Sequence, residues 1–329
     1  MRFLPAVPAG FSVSVFADRL NEARWLAAGV GGDVFVTESA AGQVLLLRDP
    51  QGRGRALPPT VFANGFDRPS GLAVQSGHLY VADADQVWRL PYRPGAAEPA
   101  GPREAVTDPG GFGDGGTGKR WSHILAVSPD GTRFVVGAGP SDGSGEESSP
   151  PATIRAFSTG DRIGQTLTSD RDTAGLAFSP GTRELYVAVG ADGGPKKAPS
   201  SGGLARIGET STLVPDLSFQ SPLIPWSMAF STGVSFPIRY RGGVFVILLE
   251  PRTTREAGEA MVAYVPFRDH RPAGGYEPFL RGFRMDGTGA VQGRPAGLAV
   301  AQDGSLLVAD DIGRVVWRVS YDGVRFSAR

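Results

Sequence analysis

The chain has 329 residues, with 33 Lys plus Arg balanced by 33 Asp plus Glu, three histidines and no cysteine. Zero net charge without a basic block excludes the electrostatic footprint of a nucleic-acid binder or a polybasic membrane binder, and the missing thiols exclude disulfides, thiolate nucleophiles and Cys-ligated metals. No apolar run is long enough to make a transmembrane helix.

Met1–Pro5 lacks the apolar stretch of a secretion signal, so a periplasmic or secreted location is expected only with a leader removed upstream. The first strand expected is Phe11–Phe16, which has no partner within its own copy of the repeat. After it, one phrase recurs six times at spacings of mostly about 45 to 53 residues, the range of propeller blades. The copies begin near 25–28, 71–74, 124–127, 175–178, 227–230 and 297–300. The last is the clearest: Gly297-Leu298-Ala299-Val300, Asp303-Gly304, Leu306–Asp310 and Val315–Val319. The same wording appears at Gly71–Val74 with Leu79–Asp83, at Ile124–Val127 with Phe134–Val136, and at Gly175–Phe178 with Leu185–Ala188.

Each copy holds short β-branched and aromatic runs divided by Asp-Gly, Gly-Gly or Gly-His turns. Gly and Pro interrupt every window long enough for an amphipathic helix. These features predict an all-β fold, a six-bladed β-propeller of four-stranded antiparallel sheets forming one domain over 1–329, with the N-terminal strand completing the last blade and closing the ring. The small residues of the phrase are expected where inner strands crowd the axis. Pro94–Thr117, Gly137–Pro151, Gly190–Gly203 and Glu250–Glu259 read as loops.

Chemistry is expected at the mouth of the central channel. No Gly-x-Ser-x-Gly elbow is present, which argues against a Ser-His-Asp hydrolase. His78 reads as a turn residue and His270 as part of a polar turn. His123, which leads straight into an inner strand, either faces the channel or packs at a blade edge. Arg24, Arg68, Arg120, Arg171 and Arg294 stand just before the inner-strand phrase in their copies. Either they converge into a funnel for a carboxylated or phosphorylated ligand, or they bridge blades to the acids at Asp83, Asp310 and Asp311. The acidic loop residues Asp142, Glu146, Glu147 and Asp192 suit a hard cation without EF-hand spacing.

Taken together, Leu4–Ala17, Met228–Val246 with Tyr264–Phe267, and Gly293–Val319 resemble the soluble quinoprotein glucose/sorbosone dehydrogenases. The resemblance implies oxidation of an aldose sugar with pyrroloquinoline quinone (PQQ) and Ca²⁺. It places the cofactor carboxylates near Arg171, Asp172, Arg252 (or Arg255) and Arg294, and the metal near Asp192 and Gly193. The family's catalytic histidine, ten residues before the Asp of the Asp-Gly turn, falls here on Arg120, with His123 as the nearby substitute. Asp172 stands where the family has Asn. Two other readings remain: a non-catalytic propeller that binds an anionic small molecule or a protein partner, and a Ca²⁺-dependent lactonase, against which the presence of only two asparagines counts.

Overall fold

A computed structural model describes residues 3–110, 122–139, 153–168, 173–190, 202–207, 213, 215–220, 223–249, 260–284 and 290–323. Strand β1 (Phe11–Asp18) is followed by blade 1, made of β2 (Ala23–Ala28), β3 (Asp33–Glu38), β4 (Gln43–Arg48) and β5 (Thr60–Asn64). Blade 2 is β6 (Leu72–Gln75), β7 (His78–Ala82), β8 (Val87–Pro91) and β9 (Glu104–Ala105). Blade 3 is β10 (His123–Val127), β11 (Arg133–Ala138), β12 (Ile154–Ser158) and β13 (Gln165–Thr168), and blade 4 is β14 (Thr173–Phe178), β15 (Leu185–Val189), β16 (Gly203–Arg206) and β17 (Pro215–Ser218).

Blade 5 is β18 (Ile224–Phe230), β19 (Val244–Leu249), β20 (Met261–Val265) and β23 (Glu277–Leu280), with a small hairpin, β21 (Phe267–Arg268) and β22 (Arg271–Pro272), between its outer strands. Blade 6 is β24 (Pro295–Val300), β25 (Leu306–Asp310) and β26 (Val315–Tyr321), completed by β1, which pairs antiparallel with β26 from Phe11↔Tyr321 to Asp18↔Val315. The fold is therefore an all-β six-bladed propeller whose ring closes through its N-terminal strand.

Two of the expected loops begin or end inside strands, since Gly137 belongs to β11 and Gly203 to β16, and Pro94–Thr117 contains the short β9. The only helical turns among the described residues are Val30–Gly32 and Ile238–Tyr240.

The apolar core is divided into six clusters, one in each seam between blades. Strand periodicity explains the division, because successive side chains point to opposite faces of a sheet. On β7, Leu79 and Val81 pack toward blade 1, while Tyr80 and Ala82 pack toward blade 3. On β25, Leu306 and Val308 serve the seam with blade 5, and Leu307 and Ala309 the seam with blade 1. These second strands are buried on both faces, so they read as unbroken apolar runs.

The inner strands crowd one another unevenly. A Cβ added at Gly71 would lie 2.7 Å from the His123 carbonyl oxygen, at Gly175 3.0 Å from the Met228 amide nitrogen, and at Gly297 2.0 Å from the Arg24 carbonyl oxygen. The matching positions in blades 1, 3 and 5 are Trp25, Ile124 and Ser227. Glycine thus opens every second seam for close backbone approach, which gives the small-residue phrase its physical reason.

Candidate functional site: the mouth of the propeller

The face where all six inner strands begin is also where each blade's second strand turns into its third. In blades 1, 2 and 6 that turn is short, covering residues 39–42, 83–86 and 311–314. In blades 3, 4 and 5 the connections run over 139–153, 190–202 and 250–260. The mouth therefore has one side of compact turns and one supplied by long connections.

A carboxylate closes each compact turn. Glu38 accepts from the Asn21 amide through Oε1 (2.6 Å) and from Gln43 Nε2 through Oε2 (2.7 Å). Asp83 accepts from the Asp85 and Gln86 amides at 3.0 and 2.9 Å and from Trp88 Nε1 at 2.7 Å. Asp310 accepts from the Arg294 and Gly313 amides at 2.8 and 2.7 Å and from Trp317 Nε1 at 3.0 Å. All three acids are buried; Asp83 and Asp310 tie their turns to the third strand, and Glu38 spans its turn to Gln43 at the start of the third strand. Each also accepts from the segment that leads into the inner strand, Asp83 through the Asp67 amide at 3.4 Å. Sequence reading named Asp83 and Asp310 only as possible arginine partners; the Asp-to-Trp spacing that carries the bracket was visible in Asp83…Trp88 and Asp310…Trp317.

Of the arginines expected at the mouth, Arg24, Arg68 and Arg294 are described. Arg294 grips Asp311 with two parallel hydrogen bonds, Nε to Oδ1 at 2.9 Å and Nη2 to Oδ2 at 2.5 Å, and its pKa is raised first by that bond. Arg24, from blade 1, lies 3.6 Å from the same carboxylate. Asp311 is 4% exposed, while Arg24 and Arg294 are 21% and 35% exposed. This pair of contacts ties blade 6 to blade 1. Arg68 is partly exposed and faces Asp67 at 3.2 Å.

His123 is fully buried. Its Nδ1 lies 3.0 Å from the Asp83 carbonyl, which can only accept, so that nitrogen carries the proton. Its amide donates to Ser70 Oγ at 2.9 Å, and the Ser70 hydroxyl in turn reaches the His123 carbonyl at 3.0 Å. The residue is a strut between blades 2 and 3. His78 caps its own turn through the Ser76 carbonyl at 2.9 Å, and His270 lies exposed between β21 and β22, its carbonyl accepting from the Tyr186 hydroxyl. Arg120, Asp142, Glu146, Glu147, Arg171, Asp172, Asp192, Gly193, Arg252 and Arg255 lie outside the described residues. Among the described residues no group of three or more His, Asp or Glu is placed to hold a metal ion.

A feature that sequence reading missed is a set of β-bulges at the mouth. The first and second strands slip in register between Ala23 and Leu26, Thr173 and Gly175, Pro225 and Ser227, and Pro295 and Gly297. Bulges re-aim side chains at barrel rims. The position immediately before the inner-strand phrase is Arg24, Ser70, His123, Ala174, Trp226 and Ala296 in blades 1 to 6. Ser70, His123, Ala174 and Ala296 are buried, whereas Arg24 and Trp226 are only partly so.

Fold and mouth together define a six-bladed β-propeller with three compact turns on one side of its mouth. The chain is similar to the calcium structure of a Trichoderma reesei carbohydrate-active enzyme of family AA12 (TM-score 0.76, 14% identity, 97% of each chain covered) and to the holo form of the PQQ domain of pyranose dehydrogenase from Coprinopsis cinerea (TM-score 0.74, 14% identity, 97% of this chain and 98% of that one). It is also similar to a gluconolactonase from Xanthomonas campestris (TM-score 0.60, 15% identity, 97% and 95% covered). At these identities the likeness shows the fold. No family model and no curated protein matches the sequence.

Proposed function

We propose that this protein acts on a carbohydrate at the mouth of the propeller, against a wall formed by blades 6, 1 and 2. The observation that carries the reading is the asymmetry of that face: three bracketed, compact turns make a fixed wall, while the long connections of blades 3, 4 and 5 start and end opposite it. Ligand sites commonly combine a rigid frame with longer functional loops. The neighbours in fold, which include a pyranose dehydrogenase domain and a gluconolactonase, support a sugar as the ligand class.

The finer reading, implied by the sequence resemblance, is oxidation of an aldose with PQQ and Ca²⁺. It would draw on Arg171, Arg252 and Arg294 for the quinone carboxylates, which Asp172 at the neighbouring position would repel, on Asp192 and Gly193 for the metal, and on Arg120 or His123 beside the reacting hydroxyl. Of that set, only Arg294 and His123 lie among the described residues. Arg24 and Arg294 share Asp311, Arg68 faces Asp67, and His123 is buried, so no redox step is drawn through the quinone. The same pairing favours a second reading, a binding propeller that holds a sugar or an anionic sugar derivative without turnover. Arg120 at the base position supports it too, because a guanidinium stays charged and cannot remove a proton.

Incubating the purified protein with PQQ and Ca²⁺, then following thermal shift and dye reduction over a panel of aldoses, tests the enzyme reading. Quinone-dependent turnover establishes it. Sugar binding without turnover leaves the binding propeller, and lactone hydrolysis abolished by a chelator replaces both with a hydrolase.

A further inference from the structure

We infer that Trp226 is the stacking platform for the sugar ring, an inference that rests on the carbohydrate reading above. Around the ring of six equivalent mouth positions, Trp226 is the only tryptophan, tyrosine or phenylalanine. It is also the extra residue of the β18 bulge, where Pro225 pairs with Leu248 and Ser227 with the adjacent Ile247. The bulge breaks the alternation of the strand, so Trp226 and Ser227 are consecutive half-buried residues between buried Pro225 and Met228.

The indole packs on the blade 5–blade 6 cluster, which restricts its rotation, and it stays half-buried where it is not enclosed by that seam. A tryptophan with no other duty would gain more by complete burial in that seam.

The neighbourhood completes a subsite. Next around the ring, blade 6 presents only Ala296 and Gly297 at this level, and beyond it blade 1 presents Arg24. Asp311 and Arg294 stand on the turn and leader of blade 6. In order around the ring, small buried residues of blade 6 thus stand between an indole on one side and a guanidinium–carboxylate pair on the other. A pyranose has this dual character. Its face of C–H groups carries slight positive charge and suits the electron-rich face of an indole, while its edge of hydroxyls suits paired charged hydrogen-bond partners. The geometry accordingly points to a neutral or singly charged hexose ring, laid against Trp226 with its hydroxyl edge toward Arg24 and Arg294, the partly exposed partners of Asp311.

The test compares wild type, Trp226→Leu and Trp226→Phe by calorimetric titration with D-glucose, D-galactose, cellobiose and D-gluconate. Leucine keeps the apolar packing of the seam without a π face, and phenylalanine restores a smaller one. The expected result is a loss of about tenfold in affinity for Trp226→Leu, with most of it regained in Trp226→Phe, and unchanged thermal stability in both. Equal affinity of wild type and Trp226→Leu for a sugar that binds would overturn the stacking role while leaving the carbohydrate reading intact. Binding of none of the four sugars by wild type would overturn both.

Discussion

Asp310 holds Trp317 from the end of the neighbouring strand: the carboxylate oxygen Oδ2 accepts from the indole Nε1 at 3.0 Å, and neither residue is more than 1% exposed. The other oxygen accepts two backbone amides, one from the segment leading into the inner strand and one from the turn. Burial pushes the Asp310 carboxyl above its usual range, although the three donors pull the other way. Since the folded state then binds this proton more tightly than the unfolded chain, the contribution of Asp310 is most favourable at low pH and declines as pH rises through the raised value.

Asp310→Ala is expected to cost roughly 3 kcal/mol, because it strands buried donors on Trp317, Arg294 and Gly313. Denaturant unfolding at neutral pH measures this. A cost below about 1 kcal/mol would show that the bracket is not a stabilising element.

Gly297→Ala should be worse than its chemistry suggests. The new methyl would collide with the Arg24 carbonyl oxygen in the neighbouring inner strand, where backbone on both sides leaves little room to yield, and a loss of about 3 kcal/mol or more is expected. Gly52→Ala is the control. Its φ of +60° strains an L residue but nothing lies within 4 Å of the added carbon, so about 1 kcal/mol is expected.

Asp311→Asn removes the charge that Arg24 and Arg294 share. The two guanidiniums would then face the mouth uncompensated, and affinity for D-gluconate or another carboxylated ligand should rise several-fold, about 1 kcal/mol or more for a charge-assisted contact. Titration at two salt concentrations checks it, since the gain should shrink as ionic strength grows. Arg171→Ala should act in the opposite sense, weakening an anionic ligand several-fold if that side chain contributes to the site.

The turn of blade 3 on the opposite face predicts an acid-sensitive element. Asp130 accepts from Ser128 Oγ (2.6 Å), the Thr132 amide (3.0 Å) and Thr132 Oγ1 (2.8 Å), and these donors hold its carboxyl well below the usual range. A depressed folded pKa means that the stabilisation is complete above the ordinary carboxylate value of about 4 and is lost as pH falls below it. Melting temperatures recorded from about pH 6 down to about pH 2 should therefore fall less steeply for Asp130→Asn than for wild type.

Much of this architecture could be read from the chain because glycine and aliphatic residues face the same packing demand in every copy. The Gly-Leu-Ala-Val wording marks the inner strands, and the unpartnered Phe11–Phe16 run marks the ring's closure. The site was less legible. Arg24 and Arg294 were seen, and Asp311 was among their possible partners, but the sharing of one carboxylate by two blades depends on a contact between opposite ends of the sequence. His123 looked equally suited to the channel or the blade edge, and its burial follows from Ser70 and Asp83, which belong to another blade. The bulge that sets Trp226 apart leaves no mark in composition, because it is a slip of register between two strands.

The pairing of Phe11 with Tyr321 at one end of the closing strand and of Asp18 with Val315 at the other also fixes how the ring responds to force. Tension applied just before Phe11 and just after Tyr321 falls on that first pair alone, so the bonds part singly, as in an opening zipper, instead of resisting together in shear. The lock that makes the toroid continuous thus yields most easily to a tug at its own two tails.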